Sequence, residues 1–309
     1  MPDAVTGAFS FTGGAIARRL LTDGNEVVTL ARRPAPPDAD PRIRAIPFPN
    51  FDADALAVDL AGVDTLYNTL WIRFPRGEAT YERAAAETHV LMDAARKAGV
   101  RRFVHLSVVN AAPDAPTEYF RAKSRLEDDV RGSGLSWAIV RPTLTFGPGD
   151  ILVNNLSWVM RRFPVFAVPG DGRYRLQPVH VDDVAAIAVA AGRANDPQVL
   201  DAAGPETYDF DEFVRLLARA VGSRSPLVHV PPRLSRLGSQ VIGLLVRDVV
   251  LTRDEVTELM ASLLVSTEPP RGEIRLSDWT TAWADQLGRS WHSELDRHYR
   301  GSGAAPSAD

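Results

Sequence analysis

Through its first 142 residues the chain alternates short apolar runs with stretches of helical periodicity, and this alternation restricts the fold more than any other feature. Strands that alternate with helices pair in parallel, because each helix carries the chain back across a face of the sheet. Six strands are predicted, at residues 4–6, 26–31, 43–48, 63–70, 102–108 and 136–140. The pattern predicts an α/β, doubly wound parallel sheet, in which ligands bind beyond the carboxyl ends of the strands.

The turn between the first strand and the first helix is rich in glycine. It runs from Gly7 to Gly13, with Ser10 where a third glycine would complete the spacing Gly-x-x-Gly-x-x-Gly. A dinucleotide pyrophosphate binds at such a turn because free N–H groups and the positive end of the helix dipole converge there. The turn predicts a dinucleotide site to which the small Ser10 hydroxyl contributes; a tight turn without a ligand is the alternative.

The end of the second strand indicates which dinucleotide is bound. Sites for NAD usually place an Asp or Glu there, against the ribose hydroxyls of the adenosine. In this chain Ala31 is followed by Arg32 and Arg33, and the charged, forked guanidinium group suits a 2′-phosphate. We therefore predict NADP(H) in preference to NAD(H). Exposed loop arginines without a ligand are the alternative.

Three further residues form a candidate catalytic set. Tyr119 and Lys123 lie four apart at the start of a predicted helix, so they project from one face, and Ser107 ends the fifth strand. A phenol with a pKa near 10 is a poor acid or base at neutral pH, and an adjacent ammonium lowers that pKa. We predict that Tyr119 exchanges a proton with a substrate oxygen during hydride transfer, while Ser107 orients that oxygen and Lys123 holds the nicotinamide ribose.

These motifs together resemble the short-chain dehydrogenase/reductase superfamily, in its extended and atypical branch of NAD(P)-dependent epimerase/dehydratase-like Rossmann proteins. The chain is similar to bacterial NAD(P)H-binding proteins of the complex I 39 kDa subunit group. The resemblance covers roughly residues 4 to 220 and is carried by residues 6–13, 98–107, 119–123, 141–143, 146–150, 170–172 and 177–184.

The resemblance also implies roles for individual residues. It implies dinucleotide contacts from the turn, at Gly7, Phe9, Ser10, Phe11 and Gly13. It implies a 2′-phosphate site at Arg32 and Arg33, and it places Asn68 and Thr69 beside the cofactor. Pro142 and Thr143 are expected against the nicotinamide carboxamide. Relatives are frequently dimers, so a homodimer is a candidate assembly.

Beyond residue 142 the regular alternation stops, which indicates a second domain. We predict a dinucleotide-binding domain at residues 1–150, to which residues 176–203 return, with a strand at 178–181 joining the sheet. Residues 151–175 and 204–300 are expected to form a smaller, mostly helical C-terminal cap that binds substrate. Within the cap, the apolar run 237–246 predicts a packed helix. The small, polar tail 301–309 is expected to be disordered.

Composition excludes several other kinds of site. The chain has no cysteine, which excludes disulfides, thiolate metal sites and cysteine nucleophiles, and its six histidines show no metal-ligand spacing. The net charge of −4 argues against nucleic acid as a partner. The longest stretch without Asp, Glu, Lys or Arg, residues 4–17, is too short to span a membrane. We expect a cytoplasmic protein that acts on a small molecule without a metal.

Aromatic side chains predict the character of the substrate. Trp71, Phe74, Trp158 and Phe166 are expected to line an apolar or aromatic substrate pocket, although they also suit the core of the cap. Val108 and Val109 stand where sugar-nucleotide dehydratases carry an acidic pair, which argues against dehydration. Three functions remain: an NADP(H)-dependent carbonyl reductase or alcohol dehydrogenase, which we favour; an epimerase with a tightly bound cofactor; and a non-catalytic NADPH-binding sensor or assembly factor.

Overall fold

The computed structural model describes residues 1–31, 35–47 and 52–299. Its helices and strands follow one another as β1 (Asp3–Thr6), α1 (Phe11–Thr22), β2 (Val27–Ala31), β3 (Ile43–Pro47), α2 (Ala53–Asp59), β4 (Thr65–Asn68), α3 (Tyr81–Lys97), β5 (Arg102–Leu106), α4 (Glu118–Gly132), β6 (Trp137–Pro142), β7 (Leu144–Phe146), α5 (Leu152–Arg162), β8 (Phe166–Pro169), β9 (Arg175–Leu176), β10 (Pro178–His180), α6 (Val181–Arg193), β11 (Gln198–Ala202), β12 (Tyr208–Asp209), α7 (Phe210–Ala220), β13 (Leu227–Val230), α8 (Pro232–Val246), α9 (Arg253–Met260), α10 (Leu276–Ala282) and α11 (Glu294–His298).

The chain divides into two compact units. The first comprises Met1–Thr145, Pro178–Pro205 and Ser266–Ile274; the second comprises Phe146–Gln177, Glu206–Val265 and the described residues from Arg275 onward. The segment Ser266–Ile274 is fixed within the first unit by backbone N–H groups of Glu273 and Ile274, which both donate to the Asp183 carboxylate.

The first unit is built on a seven-stranded sheet in the order β11-β6-β5-β4-β1-β2-β3, with every pair parallel. Helices α1 and α6 pack on one face, and α2 and α3 on the other, so that apolar side chains are buried against both faces. All six predicted strands lie in this sheet. The predicted doubly wound, Rossmann-type fold is confirmed.

One predicted strand is placed differently. The strand near residues 178–181 was expected to join the main sheet, but β10 pairs with β7 in a separate two-stranded ladder, and the prediction is wrong. The seventh strand of the main sheet is β11, which pairs with β6 in parallel. A parallel neighbour needs a crossover helix before it, and α6 supplies that crossover after β10 and before β11.

The second unit contains α5 and α7 to α11 with two short ladders, β12 with β9 and β13 with β8. The predicted packed helix at residues 237–246 forms as part of α8, which packs against β8 on one side and exposes leucines on another. Leu237, Leu244 and Leu245 are 57%, 81% and 69% exposed. No helix among the described residues is long and apolar enough to cross a bilayer.

Candidate functional site

The Gly-rich turn brings β1 and α1 closer together than a side chain would permit. Gly7 has a φ of +67°, which favours glycine, and a Cβ on Gly13 would lie 2.2 Å from the Gly7 carbonyl oxygen. Ser10 is the N-cap of α1, and its Oγ accepts a hydrogen bond from the Gly13 N–H at 3.3 Å. Ser10, which stands where a third glycine would complete the motif, therefore caps the N-terminus of α1.

The two phenylalanines of the turn, Phe9 and Phe11, are both half-buried. Phe11 also packs against the core between the sheet and α1. Arg32 and Arg33, predicted to hold the 2′-phosphate, lie outside the described residues.

The ends of β4 and β1 are joined by hydrogen bonds. Thr69 donates from its backbone to Thr6 Oγ1 at 2.8 Å and from its own hydroxyl to the Thr6 carbonyl at 2.5 Å. The Asn68 side chain is fully buried, and it accepts from Leu70 N–H and donates to His105 Nδ1 at 3.2 Å. Of the two predicted cofactor neighbours, Thr69 thus borders the Gly-rich turn, whereas the Asn68 amide is engaged inside the protein.

Ser107 follows β5, Pro142 is the last residue of β6, and Thr143 comes directly after it. The order β6-β5-β4-β1 makes the carboxyl ends of these strands neighbours, so the three residues share one edge of the sheet with the Gly-rich turn. Ser107 continues the ladder through its N–H to the Val140 carbonyl at 2.7 Å, and Thr143 N–H donates to the Ala202 carbonyl at 3.1 Å. The structure brings the predicted turn, strand-end and nicotinamide residues of this unit to the same edge.

Helix α4 carries Tyr119 and Lys123 to this edge. Lys123 is 2% exposed, and its Nζ donates to the Leu106 carbonyl at 2.8 Å and lies 4.2 Å from the centre of the Trp71 ring. Burial lowers the pKa of Lys123 to about 7, against a smaller raising effect of the Glu127 carboxylate. Near neutral pH, a ligand that binds beside Lys123 can therefore change the fraction of this side chain that is protonated.

Aromatic rings surround the half-buried Tyr119. Its ring meets Trp71 edge-on at 6.2 Å and Tyr81 at 6.0 Å, and Trp71 stacks on Tyr81 at 5.6 Å. Trp71 thus joins the predicted catalytic pair, while Phe74, in the same loop, contacts the Arg73 guanidinium at 5.7 Å. The tyrosine lies beside an aromatic wall.

Three buried polar atoms of this region have no hydrogen-bond partner among the described residues: Ser107 Oγ, Trp71 Nε1 and His105 Nε2. An unsatisfied buried polar group costs about 1–3 kcal/mol, so a ligand that supplies partners here gains that energy. His105 was not among the predicted residues. It lies two positions before Ser107 on β5, hence on the same face of the strand, and burial and the Lys123 charge keep its pKa well below the usual range.

The other two predicted pocket residues lie in the second unit. Trp158 on α5 meets Trp291 edge-on at 5.2 Å, and the Arg162 guanidinium lies 4.4 Å from its ring centre. Phe166 is buried at the start of β8. Within that unit, both rings are packed against protein.

A parallel sheet in this order, with a capped Gly-rich turn directly after β1, defines a Rossmann-type dinucleotide-binding protein. The NAD(P)H-binding family model matches residues 7–153. The chain is 35% identical over 225 residues to (4-alkanoyl-5-oxo-2,5-dihydrofuran-3-yl)methyl phosphate reductase of Streptomyces griseus, covering 71% of this chain and 73% of that one. It is 30% identical over 239 residues to ceramide reductase of Caulobacter vibrioides, covering 74% and 73%. The chain belongs to the NAD(P)H-binding family.

The predicted resemblance to the complex I subunit group is confirmed. The chain is 28% identical over 196 residues to the 40 kDa subunit of NADH-ubiquinone oxidoreductase from Neurospora crassa, covering 62% of this chain. It spans about half the length of that subunit, 51%. Among solved structures, MoeE5 in complex with UDP-glucose and NAD is similar in fold, with a TM-score of 0.67 and 21% identity over 92% of this chain and 98% of that one.

Proposed function

We propose that this protein is an NADP(H)-dependent oxidoreductase that transfers a hydride between the nicotinamide and a carbonyl or alcohol group of a small, apolar or aromatic substrate. The observation that carries the proposal is the placement of Tyr119 on α4, one turn before the buried Lys123, at the sheet edge where the Ser107 hydroxyl has no partner within the described part of the chain. Two relatives that cover more than two thirds of the chain are named as reductases.

The residues at this edge fit a dinucleotide. Gly7, Phe9, Ser10, Phe11 and Gly13 would hold the pyrophosphate at the N-terminus of α1, where the first backbone N–H groups have no intrahelical partner. Arg32 and Arg33 would hold the 2′-phosphate, and this pair is the reason for preferring NADP(H). Thr69, Pro142 and Thr143 would lie near the nicotinamide. The buried Asn68 amide would hold the end of β4 in place through its hydrogen bond from Leu70 N–H. When bound, NADPH supplies a hydride.

Side chains of this protein would orient and protonate the substrate oxygen. Ser107 Oγ donates a hydrogen bond that orients the carbonyl, and Tyr119 gives its phenolic proton to the same oxygen as the carbon is reduced. The Lys123 ammonium stabilises the phenolate that results, because it lies one helical turn away in a site from which water is excluded. In the reverse direction Tyr119 removes the proton from an alcohol.

The aromatic wall supports an apolar substrate. Trp71 and Tyr81 present a stacked surface beside Tyr119, and Trp71 Nε1 is free to donate to a second oxygen of the substrate. The names of the two reductases specify an alkanoyl-substituted furanone phosphate and a ceramide, both of which contain apolar chains. We propose a carbonyl compound with an apolar or aromatic substituent.

A titration with NADPH and with NADH, followed by nicotinamide fluorescence, tests the cofactor assignment. We expect tighter binding of NADPH, and we expect Arg32→Asp to weaken NADPH binding at least about tenfold while NADH binding changes little. Arg96→Asp makes the same charge change in the last turn of α3, at the other edge of the sheet, and should have no effect. Failure of both nucleotides to bind at millimolar concentration would refute the proposal.

The catalytic assignment is tested with Tyr119→Phe. We expect kcat for reduction of apolar or aromatic ketones to fall at least about 100-fold while NADPH binding is retained. If the protein binds NADPH but its function is unchanged by Tyr119→Phe, it is a non-catalytic NADPH-binding sensor or assembly factor. A cofactor that survives purification, with no net oxidation of substrate, would indicate an epimerase.

A further inference from the structure

Helix α8 of the second unit exposes an unusual amount of apolar surface. Leu234, Leu237, Leu244 and Leu245 are 55%, 57%, 81% and 69% exposed. At 100° per residue these four leucines fall within an arc of about 100°. These four leucines therefore lie on one side of the helix, and we call them the leucine stripe.

The opposite side of the same helix is turned toward the protein. Ser235 and Gly243 are buried, Ile242 and Val246 are half-buried, and the helix contacts β8. The leucine stripe is therefore a second apolar face, additional to the one that α8 uses to pack in its own unit. An apolar face directed to solvent marks a contact surface more often than a scattered leucine does.

The charges on α8 are of one sign. The helix contains Arg233 and Arg236 and no acidic residue, and its C-cap is Arg247. Arg233 and Arg247 are exposed, and on the helical wheel Arg233 stands next to the leucine stripe. The chain as a whole carries a net charge of −4, so the basic character is local to this helix.

We propose that α8 docks on an anionic phospholipid surface, with the leucine stripe inserted at the boundary between head groups and acyl chains and Arg233 on a lipid phosphate. A helix that lies in a bilayer interface combines an apolar face with a basic flank. The class of partner follows from these two properties together, since neutral lipid would supply no anion for the exposed Arg233 beside the leucine stripe.

A second protein fits this surface less well. The stripe is about 17 Å long and about 10 Å wide, far short of the roughly 800 Å² that each partner contributes to a stable protein interface. A second copy of this chain docked on the stripe through a two-fold axis would bring Arg233 of both copies to the interface, and α8 has no acidic residue to pair with it. A bilayer needs only the helix face itself.

Vesicle flotation tests the proposal. The whole protein is mixed with vesicles of phosphatidylcholine alone, or of phosphatidylcholine with phosphatidylglycerol. We expect it to float with the anionic vesicles, and the double variant Leu244→Glu with Leu245→Glu to lose more than about tenfold in partitioning. Val58→Glu is the matched control, because Val58 is 76% exposed on α2 of the first unit, and it should float like the unaltered protein.

The electrostatic part is tested with Arg233→Gln. We expect about a fivefold weaker partitioning into anionic vesicles for this one lost charge, and weaker binding of the unaltered protein as salt rises. The altered leucines and Arg233 are exposed, so circular dichroism should show unchanged folding. Absence of flotation, equal loss in Val58→Glu, or a dimer in light scattering that the leucine variants dissociate without vesicle binding would each overturn the proposal.

Discussion

At the scale of single residues, Lys123 is the most informative position. Only two of the 35 basic residues are lysines, Lys97 and Lys123, so this chain otherwise uses arginine for positive charge. Arginine stays charged at every accessible pH, whereas a buried lysine gives up its proton when solvation is lost. Burial lowers the pKa of Lys123 to about 7. A group that changes charge near neutral pH suits a site that handles protons.

The buried ammonium of Lys123 should lower the free energy of unfolding by an amount that depends on pH. The pKa of Lys123 is lower in the folded protein than its ordinary value of 10.5, so between about pH 7 and pH 10.5 the unfolded chain binds more protons and the free energy of unfolding rises with pH. We therefore expect Lys123→Met to stabilise the protein by about 2 kcal/mol near pH 6, where the penalty is complete, and by less as the pH rises through this window.

Urea unfolding of both proteins at two pH values, one below and one well above 7, measures this difference. Lys97→Met is the control, because Lys97 is exposed and paired with Asp54 and Asp93, which raises its pKa. For Lys97→Met we expect the difference in free energy of unfolding from the unaltered protein to stay the same between neutral pH and pH 9. If the difference in free energy of unfolding between Lys123→Met and the unaltered protein does not change with pH, the buried charge is not its cause.

Residue patterns predicted much of the site at this scale, but not its hydrogen bonding. Strand ends and helix periodicity sufficed to bring Ser107, Thr69 and Lys123 to one edge of the sheet. Which polar atoms lack partners depends on three-dimensional packing, and so the buried, unpartnered Nε1 of Trp71 and Nε2 of His105 were not predictable. The spacing between His105 on β5 and Ser107, which continues the ladder of β5, was the available signal, since alternate residues share a strand face.

At the scale of secondary structure, the β1–α1 turn depends on the absence of one side chain. A Cβ at Gly13 would overlap the Gly7 carbonyl oxygen at 2.2 Å, and because that oxygen belongs to the backbone, α1 would have to move away from β1. We expect Gly13→Ala to destabilise the protein by about 2–3 kcal/mol and to abolish NADPH binding. Thermal unfolding and nicotinamide fluorescence measure the two effects.

Gly132 provides the matched substitution. It ends α4, and a Cβ there would meet nothing within 4 Å. Gly132→Ala should therefore leave stability unchanged or raise it by up to about 1 kcal/mol, with NADPH binding intact. Equal behaviour of the two alanine variants would contradict the close approach at the turn.

Elements with a strong pattern were predicted within two or three residues, and those with a weak pattern were not. β11 (Gln198–Ala202) carries polar residues at positions 198 and 201 and lies at the edge of the sheet, where Val199 is 36% exposed, so it lacks the continuous apolar run that marked the central strands. α8 was recognised as a helix from its apolar content. Periodicity shows which residues share a face, but not whether another element covers that face.

At the scale of the whole molecule, the two proposals assign different ligands to different units. The dinucleotide site is built from strand ends of the first unit, and the leucine stripe belongs to the second unit. A ligand stabilises the elements that it contacts, and amide hydrogen exchange reports local opening of those elements. The unit affected by each ligand can therefore be read from the exchange of separate peptides.

We expect NADPH to slow exchange in the β1–α1 turn at residues 7–13, and at the end of β5 near Ser107, while α8 is unaffected. Anionic vesicles should slow exchange in α8 and leave the turn unaffected, and vesicles of phosphatidylcholine alone should change neither. Protection of α8 by NADPH in the absence of lipid would contradict separate sites, because it would mean that the helix responds to the cofactor. Protection of the turn by vesicles would place the lipid contact in the first unit and remove the leucine stripe as its cause.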